Sequence, residues 1–129
     1  MPLTITAYTA AALAILIVLL AIDTIRRRVL LRAAFGDGAD HGLVSAIRAH
    51  GNLTEYAPMA LILIALLELA KVNAIGLAAL AGAFVVARLL HVHGIYQPPG
   101  PPNASRSIGI VATLAILLAL AIWLIAVTL

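Results

Sequence analysis

The chain contains no cysteine. Disulfides, a catalytic thiol of its own and any thiolate metal site are therefore excluded, and thiol chemistry here needs a thiol carried in by a ligand. Charge is scarce as well. Only 10% of the 129 residues are Asp, Glu, Lys or Arg, against about 25% in a soluble domain. What replaces it is apolar: 64% of the residues are hydrophobic, and the mean hydropathy is +1.16. A helix that spans a bilayer needs about 20 mostly apolar residues. Four such segments with short connections use up this length and leave no room for a soluble domain. The N-terminus has no basic stretch before its apolar run and no convincing cleavage site, so it reads as a retained first helix rather than a signal peptide.

The breakers mark the connections. Gly36-Asp37-Gly38 is a loop signal, Lys71-Val72-Asn73 is a very short turn, and the proline run Gln97 to Asn103 cannot be helical. The expected fold class is all-α, an integral-membrane up-down four-helix bundle forming a single domain over 1–129. Its helices are expected at about 4–32, 43–71, 74–95 and 105–127. Pro58 lies inside the second and should kink it, because the Thr54 carbonyl loses its N–H partner. Gly76 and Gly82 are expected to let the third helix pack closely. Asn103 or Ser105 is the expected cap of the fourth, and Trp123 is an interfacial anchor near its far end.

The net charge of +3 is uneven. Arg26, Arg27, Arg28 and Arg32 flank the first connection, Arg88 and Arg106 flank the third, and the second has only Lys71. By the positive-inside tendency, the first and third loops are cytoplasmic and both termini are outside. The basic groups thus read as topology determinants and lipid-headgroup contacts, not as a nucleic-acid surface. Arg32, nearest the loop, is also within reach of a ligand carboxylate.

Against this apolar background one stretch stands out: Arg48-Ala49-His50-Gly51-Asn52-Leu53-Thr54-Glu55-Tyr56-Ala57-Pro58. Arg48, Asn52 and Glu55 fall at i, i+4 and i+7, which is one face of a helix. Ionisable groups at membrane depth are costly and face a bundle interior or a wet cavity. Arg88, His91, His93 and Arg106, from two other helices, share this depth. Two readings stay open. Polar side chains can simply tie helices together, for example through a Glu55–Arg88 ion pair. Alternatively they form an interhelical site for a polar, anionic ligand. Arg88 and His91 share a face at i, i+3, while His93 points elsewhere, and no strict metal-ligand spacing appears, so no metal is assigned. Arg106 with Ser107 opens the fourth helix, where a guanidinium makes a positive pocket.

These segments, Arg48 to Pro58 followed by Ala87-Arg88-Leu89-Leu90-His91-Val92-His93-Gly94, resemble the MAPEG family, membrane-associated proteins in eicosanoid and glutathione metabolism. That family's second helix carries R-A-x-x-N-x-x-E-x-x-P, and its third ends in A-R-x-x-[HY]. The likeness is nearest to small bacterial inner-membrane members, through Arg32-Ala-Ala-Phe-Gly-Asp-Gly38 and Ser45-Ala-Ile-Arg-Ala-His-Gly-Asn-Leu-Thr-Glu-Tyr56. The resemblance implies a homotrimer in the bacterial inner membrane with three glutathione sites at subunit interfaces, open to the cytoplasm. It implies that Arg48 and Asn52 hold ligand carboxylate or backbone groups, and that Glu55 takes the amine or orients an arginine. Tyr56 and His91 would add hydrogen bonds, Arg88 would sit against Glu55 or a carboxylate, and Arg106 would lie near the sulfur with Ser107 beside it. The partners implied are membrane lipids, glutathione as co-substrate and a lipophilic second substrate. One departure is plain: the position one turn beyond His91, often tyrosine in eicosanoid-forming members, is Ile95, with Tyr96 next to it. The alternative from a different class is a non-enzymatic membrane protein that binds a lipid or small anion at the same interfaces. A transporter is disfavoured because no paired broken helices appear.

Overall fold

The structure is a computed structural model that describes residues 3–101 and 103–129. Four helices carry the chain: α1 (Thr4–Leu31), α2 (His41–Leu69), α3 (Ala74–Ile95) and α4 (Ala104–Thr128). All four are long and apolar enough to cross a membrane. The described residues contain no strand. The helix bounds fall within about two residues of those read from hydropathy and breakers, as element ends usually do. Pro102, inside the expected proline loop, lies outside the described residues.

Connections between successive helices are short, so the helices alternate in direction. Both odd-numbered loops meet at one end of the bundle, where the Tyr96 hydroxyl donates to Asp23 Oδ2 at 2.7 Å. At the other end Glu68, in the last turn of α2, reaches the first turn of α1. Its Oε1 accepts from Ile5 N at 2.8 Å and its Oε2 from Thr6 N at 2.8 Å. Helix α1 has no side-chain cap of its own. A residue 60 or more positions away therefore satisfies donors that every helix start leaves orphaned, an effect worth about 0.5–2 kcal/mol for an N-cap. The other starts are capped locally. Asp40 accepts from Leu43 N, Asn73 from Gly76 N and Asn103 from Arg106 N. Asp40 is why α2 begins two residues earlier than expected. Ser105 is not a cap: its hydroxyl donates back to the Leu90 carbonyl of α3.

Helix α2 touches all three others, and α3 packs most extensively on α4, whereas α1 and α4 do not meet. The core holds Leu13 and Leu20 of α1, Leu53, Ile64 and Leu67 of α2, Leu77 and Phe84 of α3, and Leu120 of α4. Large apolar side chains such as Ile15, Val18, Val111, Leu118 and Ile122 face outward, as a lipid-facing surface requires. Helix α2 runs unbroken through Pro58, which sits on the outer surface.

The glycines that set the helix spacing are not the expected pair. A Cβ on Gly82 would meet nothing within 4 Å, and one on Gly76 would meet the side chains of Trp123 and Asn73 but no backbone. The close approach is between α3 and α4. A Cβ on Gly94 would run into the backbone of Arg106, and one on Gly109 would lie 2.5 Å from His91 N. This crossing holds the functional candidates of α3 and α4 in register.

Candidate functional site

Arg88 is the centre of the polar constellation. It is 1% exposed although its helix is one of the four membrane-length elements. Its guanidinium bridges three helices. Nη1 donates to Asn52 Oδ1 of α2 at 2.8 Å, and Nη2 donates to the Gly109 carbonyl of α4 at 3.2 Å and to the Thr113 hydroxyl. Thr113 passes its own proton to the Gly109 carbonyl at 2.8 Å. The rings of Tyr56 and Phe84 lie 5.3 and 6.0 Å from the guanidinium carbon, distances at which a cation is attracted to a π face. Every acceptor on Arg88 is neutral. Its Nε is the one fully buried side-chain polar atom without a partner among the described residues.

The expected Glu55–Arg88 pair is absent: the ion pair found among the described residues is Arg27–Asp23. The reason is rotational. Asn52 and Tyr56 turn toward Arg88, whereas Glu55 is exposed and faces out of the subunit. Arg48 is exposed with it, and neither side chain has a bonding partner among the described residues. The stripe thus splits into an inner contact through Asn52 and an outer face holding Arg48 and Glu55.

His91 is buried and its Nδ1 lies 3.0 Å from the Arg106 carbonyl. A carbonyl only accepts, so Nδ1 carries the proton, and this bond ties the end of α3 to the first turn of α4. The Arg106 and Ser107 side chains are exposed. Ser107 borders an open apolar groove of about 350 Å³ along α4, with Ile108, Val111 and Ala112. Arg32 stands apart. It borders a groove with Arg28, Val29, Ala33 and Ala34 that contains no residue of α2, α3 or α4. Exposed His93 pairs with Gln97 of its own helix end, Nε2 to Nε2 at 3.2 Å.

Two contributors were missed from the sequence. Thr113 and Gly109 look like ordinary membrane-helix residues, and only their i, i+4 spacing on the face toward Arg88 sets them apart. Tyr96 is the third polar group of another cluster. Its phenol bonds Asp23, and Arg27 stacks on its ring at 5.8 Å while donating to Asp23 Oδ2 at 2.9 Å. Burial, followed by the Asp23 bond, pushes the Tyr96 phenol above its ordinary range. No group of three or more His, Cys, Asp or Glu side chains able to hold a metal occurs among the described residues.

The site can offer a fixed, buried positive centre and, on the outside of the same subunit, two further arginines, a carboxylate and a hydroxyl. Comparison with known proteins agrees with this architecture. The inner membrane protein YecN of Escherichia coli K12 is 37% identical over 89 residues, which is 65% of this chain and 64% of that protein. Its counterpart in Escherichia coli O6:H1 matches to the same extent. The chain thus matches less than two thirds of the length of these curated relatives. No solved structure matches at the same stringency. The sequence profile of the MAPEG family matches residues 6–126. With that match across nearly all of its length and four membrane-length helices beneath it, the chain belongs to the MAPEG family.

Proposed function

We propose that this protein is a membrane-bound, glutathione-dependent enzyme of the microsomal transferase and peroxidase kind, acting on lipophilic electrophiles or hydroperoxides. The observation that carries this reading is the buried Arg88 guanidinium with no carboxylate partner, flanked by outward-facing Arg48, Glu55, Arg106 and Ser107 whose side chains make no bonds within the described residues of the subunit. An uncompensated buried cation is expensive. A ligand with two carboxylates, a thiolate and an amine supplies anions for the outward-facing arginines and a cation for Glu55, which is the charge pattern of glutathione, while Arg88 acts from behind through Asn52.

The outward-facing groups need a second wall, because charged side chains on a membrane helix are not left against lipid. Association into a homotrimer supplies it, with each site between neighbouring subunits. The basic end then lies in the cytoplasm, both termini lie outside, and the membrane is the bacterial inner membrane.

The chemistry follows from the thiol. A free thiol has a pKa near 8.5, and the thiolate is the nucleophile. The Arg106 guanidinium beside the sulfur favours the thiolate, and Ser107 donates a hydrogen bond to it. With an electrophile, the sulfur bonds to carbon and expels the leaving group. With a hydroperoxide, two glutathiones become a disulfide while the peroxide is reduced to an alcohol and water. The open apolar groove beside Ser107 would, on this reading, be the way by which a lipophilic partner enters from the bilayer.

The test is purified protein assayed for glutathione binding, thiolate absorbance and conjugation, with Arg106→Ala beside it. Arg106→Ala should fold normally and lose rate by about tenfold for each unit of thiol pKa that the arginine provided. Absence of glutathione binding by the wild-type protein would leave the non-enzymatic alternative standing.

A further inference from the structure

The seam between α1 and α3 is a continuous open furrow. One part, of about 360 Å³, is lined by Ile5, Tyr8, Thr9, Ala12, Ala78, Ala81, Gly82 and Val85. The next, of about 290 Å³, shares Ala12 and Val85 and continues to Leu19 and Leu89. Small residues on both helices make it: Ala12 of α1, and Ala78, Ala81 and Gly82 of α3. From Ile5 to Leu19 it extends about 21 Å, which exceeds half of the roughly 30 Å hydrocarbon core.

The two ends differ in charge. The far end carries Glu68 and Lys71, which cancel, and the Glu68 carboxylate is already taken by α1. At the other end helical periodicity brings Asp23 and Arg26 onto the furrow face of α1, and Tyr96 onto that of α3. There the Asp23 carboxylate is consumed by Arg27 and by the Tyr96 hydroxyl. Arg26 is exposed and has no hydrogen bond or ion pair. A furrow long enough for one acyl chain therefore points toward an exposed cation that makes no hydrogen bond or ion pair, about 10 Å beyond its last lining residue on α1.

We propose that the α1–α3 seam is a binding site for one phospholipid with an anionic headgroup, its acyl chain along Ile5 to Leu89 and its phosphate against Arg26. A second copy of the chain would fill the furrow without needing a cation at one end alone, so the charge asymmetry favours the lipid. This site is separate from the glutathione site and does not depend on it. Tyr96, bonded to Asp23, closes the headgroup end.

The test is native mass spectrometry of the full chain purified from nanodiscs of phosphatidylglycerol or of phosphatidylcholine. The wild-type protein should retain phosphatidylglycerol in preference to phosphatidylcholine by about fivefold, the effect of one arginine at an anionic surface. Arg26→Gln should erase that preference while the protein still folds, because the side chain makes no hydrogen bond or ion pair and Asp23 keeps its bonds to Arg27 and Tyr96. Gly82→Phe should fill the furrow and abolish retention of either lipid, with the protein still folded by circular dichroism, because a Cβ at that position meets nothing within 4 Å and the ring has the open furrow to enter. Retention unchanged in Gly82→Phe, or preference unchanged in Arg26→Gln, overturns the proposal. So does an intermolecular disulfide formed by Leu89→Cys, which is otherwise the sole thiol, because it would put a second copy in the furrow.

Discussion

Asn52 shows how one bond sets the chemistry of a side chain. Its Oδ1 is taken by Arg88, so its amide nitrogen, a pure donor, is the group turned away from the arginine. Asn52 therefore suits a ligand carboxylate or carbonyl, and Arg88 acts through it as a positioning residue. Asn52→Asp keeps an acceptor for Arg88 and replaces the outward donor with a second acceptor. Its melting temperature without ligand should not fall, while glutathione affinity should drop by about tenfold or more, the effect of one hydrogen bond to a charged group. Calorimetric titration beside a thermal melt checks both halves. At Tyr96 the folded phenol titrates above its ordinary value. Its contribution to stability is therefore fully present below the unfolded value of about 10 and is lost as pH rises beyond it. Melting temperature should fall above pH of about 10, and more gently in Tyr96→Phe, because the other tyrosines are common to both proteins.

Among the elements, the α3–α4 crossing is the least tolerant. At Gly109 a Cβ would lie 2.5 Å from His91 N and 2.7 Å from His91 Cα. Backbone cannot yield as a flexible side chain can, so Gly109→Ala should push the helices apart and cost about 1–3 kcal/mol, the usual range for overpacking. The shift would also strain the Arg88 and His91 bonds to α4, so glutathione affinity should fall with stability. Gly82→Ala is the control and should be nearly neutral. Unfolding in mild detergent, followed by circular dichroism, separates the two. Nothing local to Gly94 or Gly109 marks them in the sequence as closer-packed than Gly76 or Gly82. What distinguishes Gly94 and Gly109 is which helix lies opposite, and that depends on the rotation of α3 against α4, which no local pattern encodes.

For the molecule as a whole, the polar groups divide by direction. Arg88, His91, Asn52 and Thr113 point inward and tie α2, α3 and α4 together. Arg48, Glu55, Arg106 and Ser107 point outward. A lone subunit would hold those four against lipid, so the proposed homotrimer should be the stable unit. Native mass spectrometry should give three chains, and Arg48→Glu, which places a second carboxylate beside Glu55, should shift the population toward single chains. A wild-type protein that runs as one chain at all concentrations would count against interfacial sites.

Helix number, helix bounds and the basic end were legible because each follows from local chemistry: apolar length, proline and glycine breakers, and arginine position. Part of the inner polar cluster was legible too: Asn52, Arg88 and His91 are conspicuous in an apolar background, whereas Thr113 and Gly109 are not. Who bonds to whom was not. Glu55 and Arg88 looked like natural partners at one depth, yet depth does not specify rotation, and a turn of α2 gave Arg88 to Asn52 instead. The same holds for Glu68, a carboxylate three residues before Lys71 that nothing local ties to α1, which in the fold caps that helix. The sequence by itself determined that this chain has four membrane-length helices and carries most of its charges at one end, because burial of apolar length admits little else. The tertiary structure decided the partners of each charge, because the rotation and spacing of long helices are set by side chains meeting across distances that the sequence does not measure.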